Sequence, residues 1–263
     1  MANDHILTKT RDDGVATVTL NRAEVHNAFN DTVIAYLTAV LRRLGDDPKV
    51  RAVVLRAEGK SFSAGADLGW MQRMAGYGHA ENLADAGALA ELMRVLNFLP
   101  KPTVARVQGA AFGGGVGLVA CCDIAIASDT ASFSLSEVRL GLIPAVISPY
   151  VVAAIGERAS RRYFLTAERF DAAEALRLGL VHQVVPADQL DGAVDTILAR
   201  LSEGGPAAQR AAKDLIFAVV HRPVDAGLIR DTAERIATIR ASAEGREGLA
   251  GFLEKRKPAW TAR

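Results

Sequence analysis

Two runs of small residues constrain what this chain can fold into. AFGGGVGLVACCD at 111–123 follows the β-type segment TVARVQG at 103–109, and SFSAGAD at 61–67 follows the β-type segment VRAVVLRA at 50–57; each leads into an apolar stretch at helical spacing. One reading is structural: Gly113, Gly114 and Gly115 let a strand and a helix pack closely. Another is chemical. Each loop aims a bare backbone N–H, backed by the positive end of a helix, at one point, and paired donors of that kind stabilise negative charge on a carbonyl or thioester oxygen. A third takes GVGLVA at 115–120 as a G-x-G-x-x-A dinucleotide fingerprint with Glu137 as its ribose-binding acid. The spacing argues against it, because the next β-type segment, DIAIAS, ends at Ser128, well short of Glu137, and the helix between is very short.

Elsewhere the pattern alternates. VATVTL at 15–20 places Ala16, Val18 and Leu20 on one face and Thr17 and Thr19 on the other, a strand signature. Asp31 is the expected N-cap of a helix running to about Gly45, LGWMQRMAGY a short helix after the loop EGKSFSAGAD, and 81–98 a longer one. Asp171 with Glu174 reads as a capping box, Gly179 as the helix stop, and VHQVV as a strand. Beyond about residue 187 the pattern is helical. Alternating strands and helices followed by a helical tail predict an α/β core with a C-terminal helical extension.

With 263 residues, half of them hydrophobic, the chain can bury one large core. Its formal charge of +1 carries no basic or acidic block, so neither nucleic acid nor an anionic membrane is an expected partner. Cys121 and Cys122, the only cysteines, are adjacent in an apolar run, which suits neither a disulfide framework nor a metal site. The N-terminal MANDHILTKTRDDG has no apolar segment of signal length, and no window reaches the roughly 18 apolar residues of a membrane helix. A cytoplasmic location is expected.

SFSAGADL (61–68), VQGAAFGGGVGLVACCDIAIAS (107–128), ASFSLSEVRLGLIP (131–144), LTAERFDAAEALRLGLVHQVVP (165–186) and EGLAGFLEKRKPAW (247–260) together resemble the enoyl-CoA hydratase/isomerase superfamily, the crotonases, in order along essentially the whole chain. GADLGWMQRMA and SEVRLGLIPAVISPYVVAAIGERASRRYFLTAERFDAAEA look most like the bacterial methylglutaconyl-CoA hydratases of leucine breakdown and relatives acting on carboxylated isoprenoid acyl-CoAs. The resemblance implies a ββα spiral core over 1–200 and a helical oligomerisation region over 201–263, assembled as a homotrimer or homohexamer. It implies that Ala66 and Gly114 supply the oxyanion hole, that Arg22, Ala64, Asp67 and Leu68 lie along coenzyme A, and that Phe252 and Lys255 reach coenzyme A in a neighbouring subunit. No metal or separate cofactor is implied, since the substrate carries the coenzyme A.

The chain departs from the two-carboxylate hydratases of that superfamily at one point: Gly117 stands where their first glutamate would be, leaving Glu137, in SLSEVRLG, as the match to the second. It also has AVISPY where a glycine-rich segment is usual. A single Glu137 suits hydration, by taking a proton from water and returning it to C2, and equally suits an isomerase moving a double bond between C3 and C2; a non-catalytic acyl-CoA-binding protein is a third reading. The ordinary alternative for Glu137 is a solvated loop glutamate. Ser136, Asp67 and Ser148 are candidates to hold water, against loop or cap roles. Arg73 and Arg139 are candidates to meet a distal substrate carboxylate, against surface ion pairing. Trp70, Met71 and Met74 are candidates for the acyl wall, against core packing.

Overall fold

The computed structural model describes residues 4–261. Met1 to Asn3, at the start of the segment read for a targeting signal, and residues 262–263 lie outside it. The chain opens with β1 (Ile6–Thr10) antiparallel to β2 (Val15–Leu20), then α1 (Asp31–Asp46). β1 lacks a sequence signal because four of its five residues are exposed. Asn30, not Asp31, caps α1: its side-chain oxygen accepts from the Val33 N–H at 2.8 Å, so Asp31 becomes the first helical residue.

Two-strand units then repeat. β3 (Ala52–Ala57), β4 (Ser61–Ala64) and α2 (Leu68–Met74) make the first, with α3 (His79–Asn97) following; β5 (Thr103–Val107), β6 (Ala110–Phe112) and α4 (Gly114–Cys121) make the second. In the third, β7 (Ile124–Ser128) and β8 (Ser132–Ser134) lead through a 3-10 turn at Glu137–Leu140 into α5 (Ser148–Thr166). The first strand of each unit joins a large sheet of order β1-β2-β3-β5-β7-β10, and the second joins a small sheet of order β4-β6-β8-β9. Closing the set are β9 (Phe170–Asp171), α6 (Ala172–Leu178) and β10 (Gln183–Val185). This is the expected ββα spiral.

SFSA is therefore a strand, not part of a loop. Its partner β6 is remote in sequence, with Ser61 opposite Ala110 and Ala64 opposite Phe112, and four residues are too few to show a period. The expected capping box is half present. Asp171 accepts from the Glu174 N–H at 2.8 Å, while the Glu174 carboxylate turns to the Tyr163 hydroxyl and Arg177.

The large sheet is covered on both sides, which is why β2 is buried on both faces. One face meets the main core, including Leu37, Leu41, Leu92 and Leu96 of α1 and α3. Its other face meets α7 (Leu190–Glu203), where Leu190, Val194 and Leu198 pack on Val15, Val54, Val104 and Ile126. The tail continues as α8 (Pro206–Val219), α9 (Ala226–Ala241) and α10 (Ala243–Leu253). Of these three helices only Leu228 and Gly251 are buried.

Candidate active site

The register of the small sheet builds the site. Ala64 of β4 lies opposite Phe112 of β6, and Phe112 lies opposite Ser134 of β8, all three strands parallel. Their C-terminal ends are side by side at the usual strand spacing of about 4.8 Å. Two residues past Ala64 comes Ala66, two past Phe112 comes Gly114, and three past Ser134 comes Glu137. Segments scattered over some seventy residues of sequence thus converge at one end of one sheet.

Each candidate donor is free for a reason in the backbone. Phe29 forms a parallel bridge to Ala66 in which its N–H donates to the Gly65 carbonyl at 3.0 Å and its carbonyl accepts from the Asp67 N–H at 2.7 Å. That pattern uses the residues flanking Ala66 and turns the Ala66 N–H away from Phe29. Gly114 is the first residue of α4, so its N–H has no carbonyl one turn back and sits at the positive end of the helix. The Phe29 ring packs against the same glycine: a Cβ on Gly114 would lie 2.9 Å from Phe29 Cε2. One buried phenylalanine therefore braces both donors.

The triplet's other glycines are required too. Gly113 has φ +53° and ψ −118°, a conformation side chains resist, and a Cβ there would stand 3.0 Å from Glu137 Oε1. A Cβ on Gly115 would lie 2.3 Å from the Ser63 carbonyl, so α4 is pressed onto β4. With the Gly114 N–H left free at the start of α4, the close-packing reading of the triplet holds. A ribose-binding role for Glu137 does not, since Glu137 lies beyond β8, beside Gly113.

Glu137 opens the 3-10 turn with its Oε2 buried and no hydrogen-bond partner. Burial pushes its carboxyl above the ordinary glutamate range, offset in part by its own backbone N–H. A carboxyl shifted up, unpaired and beside two free N–H groups is suited to moving protons near neutral pH.

These groups face a cavity of about 300 Å³ lined by Phe29, Ala66, Gly113, Gly114 and Glu137, by Trp70, Met71 and Met74 of α2, by Ala86 and Leu89 of α3, and by the run Leu142–Ile147. Among the described residues Glu137 is its only ionisable lining residue. Leu140, Leu142 and Ile143 line it while being 59%, 54% and 72% exposed, so the cavity opens to solvent along that segment. Buried Trp70 also belongs to the core, and its Nε1–H donates to Asp85 at 3.1 Å, so the wall and core readings of that residue coincide.

The family model for enoyl-CoA hydratase/isomerase matches residues 10–263. The chain belongs to the enoyl-CoA hydratase/isomerase family. An enoyl-CoA hydratase from Shewanella pealeana superposes with a TM-score of 0.94 at 48% identity, covering 97% of this chain and 96% of the other. AtuE of Pseudomonas aeruginosa superposes with a TM-score of 0.93 at 39% identity over 98% and 99%. Crotonyl-CoA hydratase of Syntrophomonas wolfei is 31% identical, covering 98% of each chain. The enzyme is thus of the enoyl-CoA hydratase kind, with the crotonase fold.

Within that family, several residues singled out by sequence lie apart from the cavity. Arg22 and Asp67 bind each other, Nη2 to Oδ2 at 2.8 Å, with side chains 12% and 18% exposed. Asp67 also caps α2 by accepting from the Trp70 N–H at 3.1 Å, and Arg22 donates to the Ala28 carbonyl, so both organise the loops around Ala66. The Ala64 N–H donates to the His26 carbonyl. Leu68 is exposed at the start of α2. Phe252 and Lys255 are exposed at the end of α10 and do not line the cavity of their own chain. Arg73 pairs with Asp31 at 2.9 Å, and neither it nor the exposed Arg139 is in the lining. Ser136 lines the cavity, whereas the Ser148 hydroxyl donates to the Ala145 carbonyl at 2.7 Å. Sequence reading missed Phe29 and Ile147, for an isolated aromatic and an isolated aliphatic carry no motif.

Proposed function

We propose that the chain adds water across the C2=C3 bond of a 2-enoyl-CoA thioester, with the Ala66 and Gly114 N–H groups holding the thioester oxygen and Glu137 as the single acid–base group. The observation that carries this reading is the strand register that sets two free N–H groups at the end of the sheet from which Glu137 projects, with its Oε2 buried and without a hydrogen-bond partner. Ionised Glu137 takes a proton from water as its oxygen bonds to C3. The C2=C3 electron pair moves into an enolate, whose charge rests on the thioester oxygen between the two donors. The new carboxylic acid then gives its proton to C2, the thioester re-forms, and Glu137 is ionised again. Both parts of the water end on the acyl chain, on the same face. A raised carboxyl pKa favours this double duty, because one group must serve as base and then as acid.

Methylglutaconyl-CoA is the proposed substrate on the resemblance of the α2 segment and of the segment 136–175. The apolar lining suits the branched hydrocarbon part of that acyl group, and its terminal carboxylate would extend through the open side at Leu140, Leu142 and Ile143, away from the apolar wall. Arg22, Ala64, Asp67 and Leu68 are proposed to lie along coenzyme A on one chain, with Phe252 and Lys255 meeting it from the next in a trimer or hexamer. A second reading, movement of a double bond by proton transfer between C2 and C4, is favoured by the lining, which among the described residues holds no carboxylate besides Glu137.

Incubating the enzyme with methylglutaconyl-CoA, crotonyl-CoA and a 3-enoyl-CoA ester in D2O separates the readings. Loss of the conjugated thioester with one deuterium at C2 is the expected result. Rapid double-bond migration without water addition would replace it with the isomerase reading, and tight binding without turnover of any ester would sink both.

A further inference from the structure

Gly117 is on α4 one turn beyond Gly114, so a side chain there would project on the same face of the helix as Gly114. The space is already taken. A Cβ at Gly117 would lie 2.3 Å from Ile147 Cγ2, 2.9 Å from Ile147 Cβ and 3.1 Å from Met93 Cε. Ile147 is 3% exposed, ends the wall-forming run Leu142–Ile147 and immediately precedes α5. What replaces a carboxylate at this position is therefore a close-packed hydrocarbon wall from another element. Ile147 keeps Gly117 a glycine as much as Gly117 makes room for Ile147.

This wall has a definite place relative to a bound acyl group. A thioester oxygen accepting from the Ala66 and Gly114 N–H groups would set C2 two bonds and C3 three bonds from that oxygen, and Gly117 lies about 4.5 Å along α4 from Gly114. Ile147, which packs on Gly117 and lines the cavity, would then be the apolar side chain nearest the reacting carbons on that side; among the described residues Glu137 is the one ionisable group of the lining. Hydrocarbon on that side of C3 gives apolar contact to a carbon substituent there.

We propose that Ile147, packed over Gly117, is a specificity-determining residue that selects 2-enoyl thioesters bearing an alkyl branch at C3. The proposal rests on the oxyanion placement described under Proposed function and names the acyl class the same site takes. Its scope is wider than one substrate, since it assigns selection to a residue pair and not to the distal carboxylate.

The test uses the full-length enzyme, its Ile147→Ala, Gly117→Ala and Gly117→Ala/Ile147→Ala variants, and two probes differing by one methyl group, 3-methylcrotonyl-CoA and crotonyl-CoA. In the wild type kcat/KM is expected to favour the branched ester. Ile147→Ala is expected to lower the branched-to-linear ratio about tenfold, the range one methyl group supports in an apolar pocket, chiefly through KM of the branched ester. Loss of folded enzyme alone would lower kcat for both esters and leave the ratio standing. Gly117→Ala is expected to lower the unfolding temperature, and the double variant to recover most of that loss. A ratio unchanged in Ile147→Ala, or a Gly117→Ala enzyme as stable as wild type, overturns the proposal. If the enzyme migrates double bonds instead of adding water, the hydration reading fails, and the same ratio measured on branched and linear 3-enoyl esters still decides this one.

Discussion

Glu137 and Asp67 show how environment displaces the same carboxyl group in opposite directions. Burial raises the Glu137 carboxyl above its ordinary 4.5, so folding favours its protonated form relative to the unfolded chain. The stability linked to that preference is present below pH 4.5 and is lost as pH rises through the folded value. Glu137→Gln is therefore expected to lose activity by at least about 10³-fold, the scale of general acid–base catalysis, yet to unfold at a higher temperature than wild type at pH 7. That advantage closes as pH falls toward 4.5; a thermal-melt series over pH 4–8 checks it. Asp67 is displaced the other way, first by its hydrogen bond to Arg22 and then by the Trp70 N–H it caps. Its contribution is present above pH 3.8 and is lost as pH falls through the lowered folded value. Asp67→Ala is expected to cost about 2 kcal/mol at neutral pH in denaturant unfolding, about half from the lost cap and half from stranding a largely buried Arg22. Both carboxylates were legible in the sequence as candidates. Their division of labour was not, because it depends on which of them finds an arginine.

At the scale of elements, the helices and the large-sheet strands after β1 could be read from period and caps, since their apolar residues recur on one face. The small sheet could not. Its strands have two to four residues, and what makes them strands is pairing between segments about twenty to fifty residues apart. The site sits at the ends of those strands, so the motifs SAGAD and GGG named the loops without showing that they are neighbours. Phe29 joins them, bridging Ala66 by its backbone and packing its ring on Gly114. Phe29→Ala is expected to lower kcat by about 10²-fold with little change in KM, the cost of letting a donor drift by about 1 Å, while Phe29→Leu keeps most of the activity. Steady-state kinetics on one enoyl-CoA ester distinguish this from a loss of substrate affinity.

Across the whole molecule, the tail differs from the core. α8, α9 and α10 leave Ile216, Phe217, Ile229, Ile236, Leu249, Phe252 and Leu253 exposed, whereas α7 buries its apolar face on the large sheet. An apolar face of that extent is the kind an interface covers. Sedimentation equilibrium is expected to give three or six times the chain mass, in line with the proposed assembly, and a monomer at micromolar concentration would refute it. No described helix is long and apolar enough to cross a membrane.

By itself the sequence determined the family and the identity of the chemical groups: two small-residue loops, one carboxylate at 137 and none at 117. These are local properties, set by which side chains stand where along the chain. Only the tertiary structure decided that Ala66, Gly114 and Glu137 share one cavity, that Arg22 and Asp67 are spent on each other, and that Ile147 fills the space over Gly117. Those are contacts between remote segments, and strand register and close packing, which no single segment carries, are what bring them together.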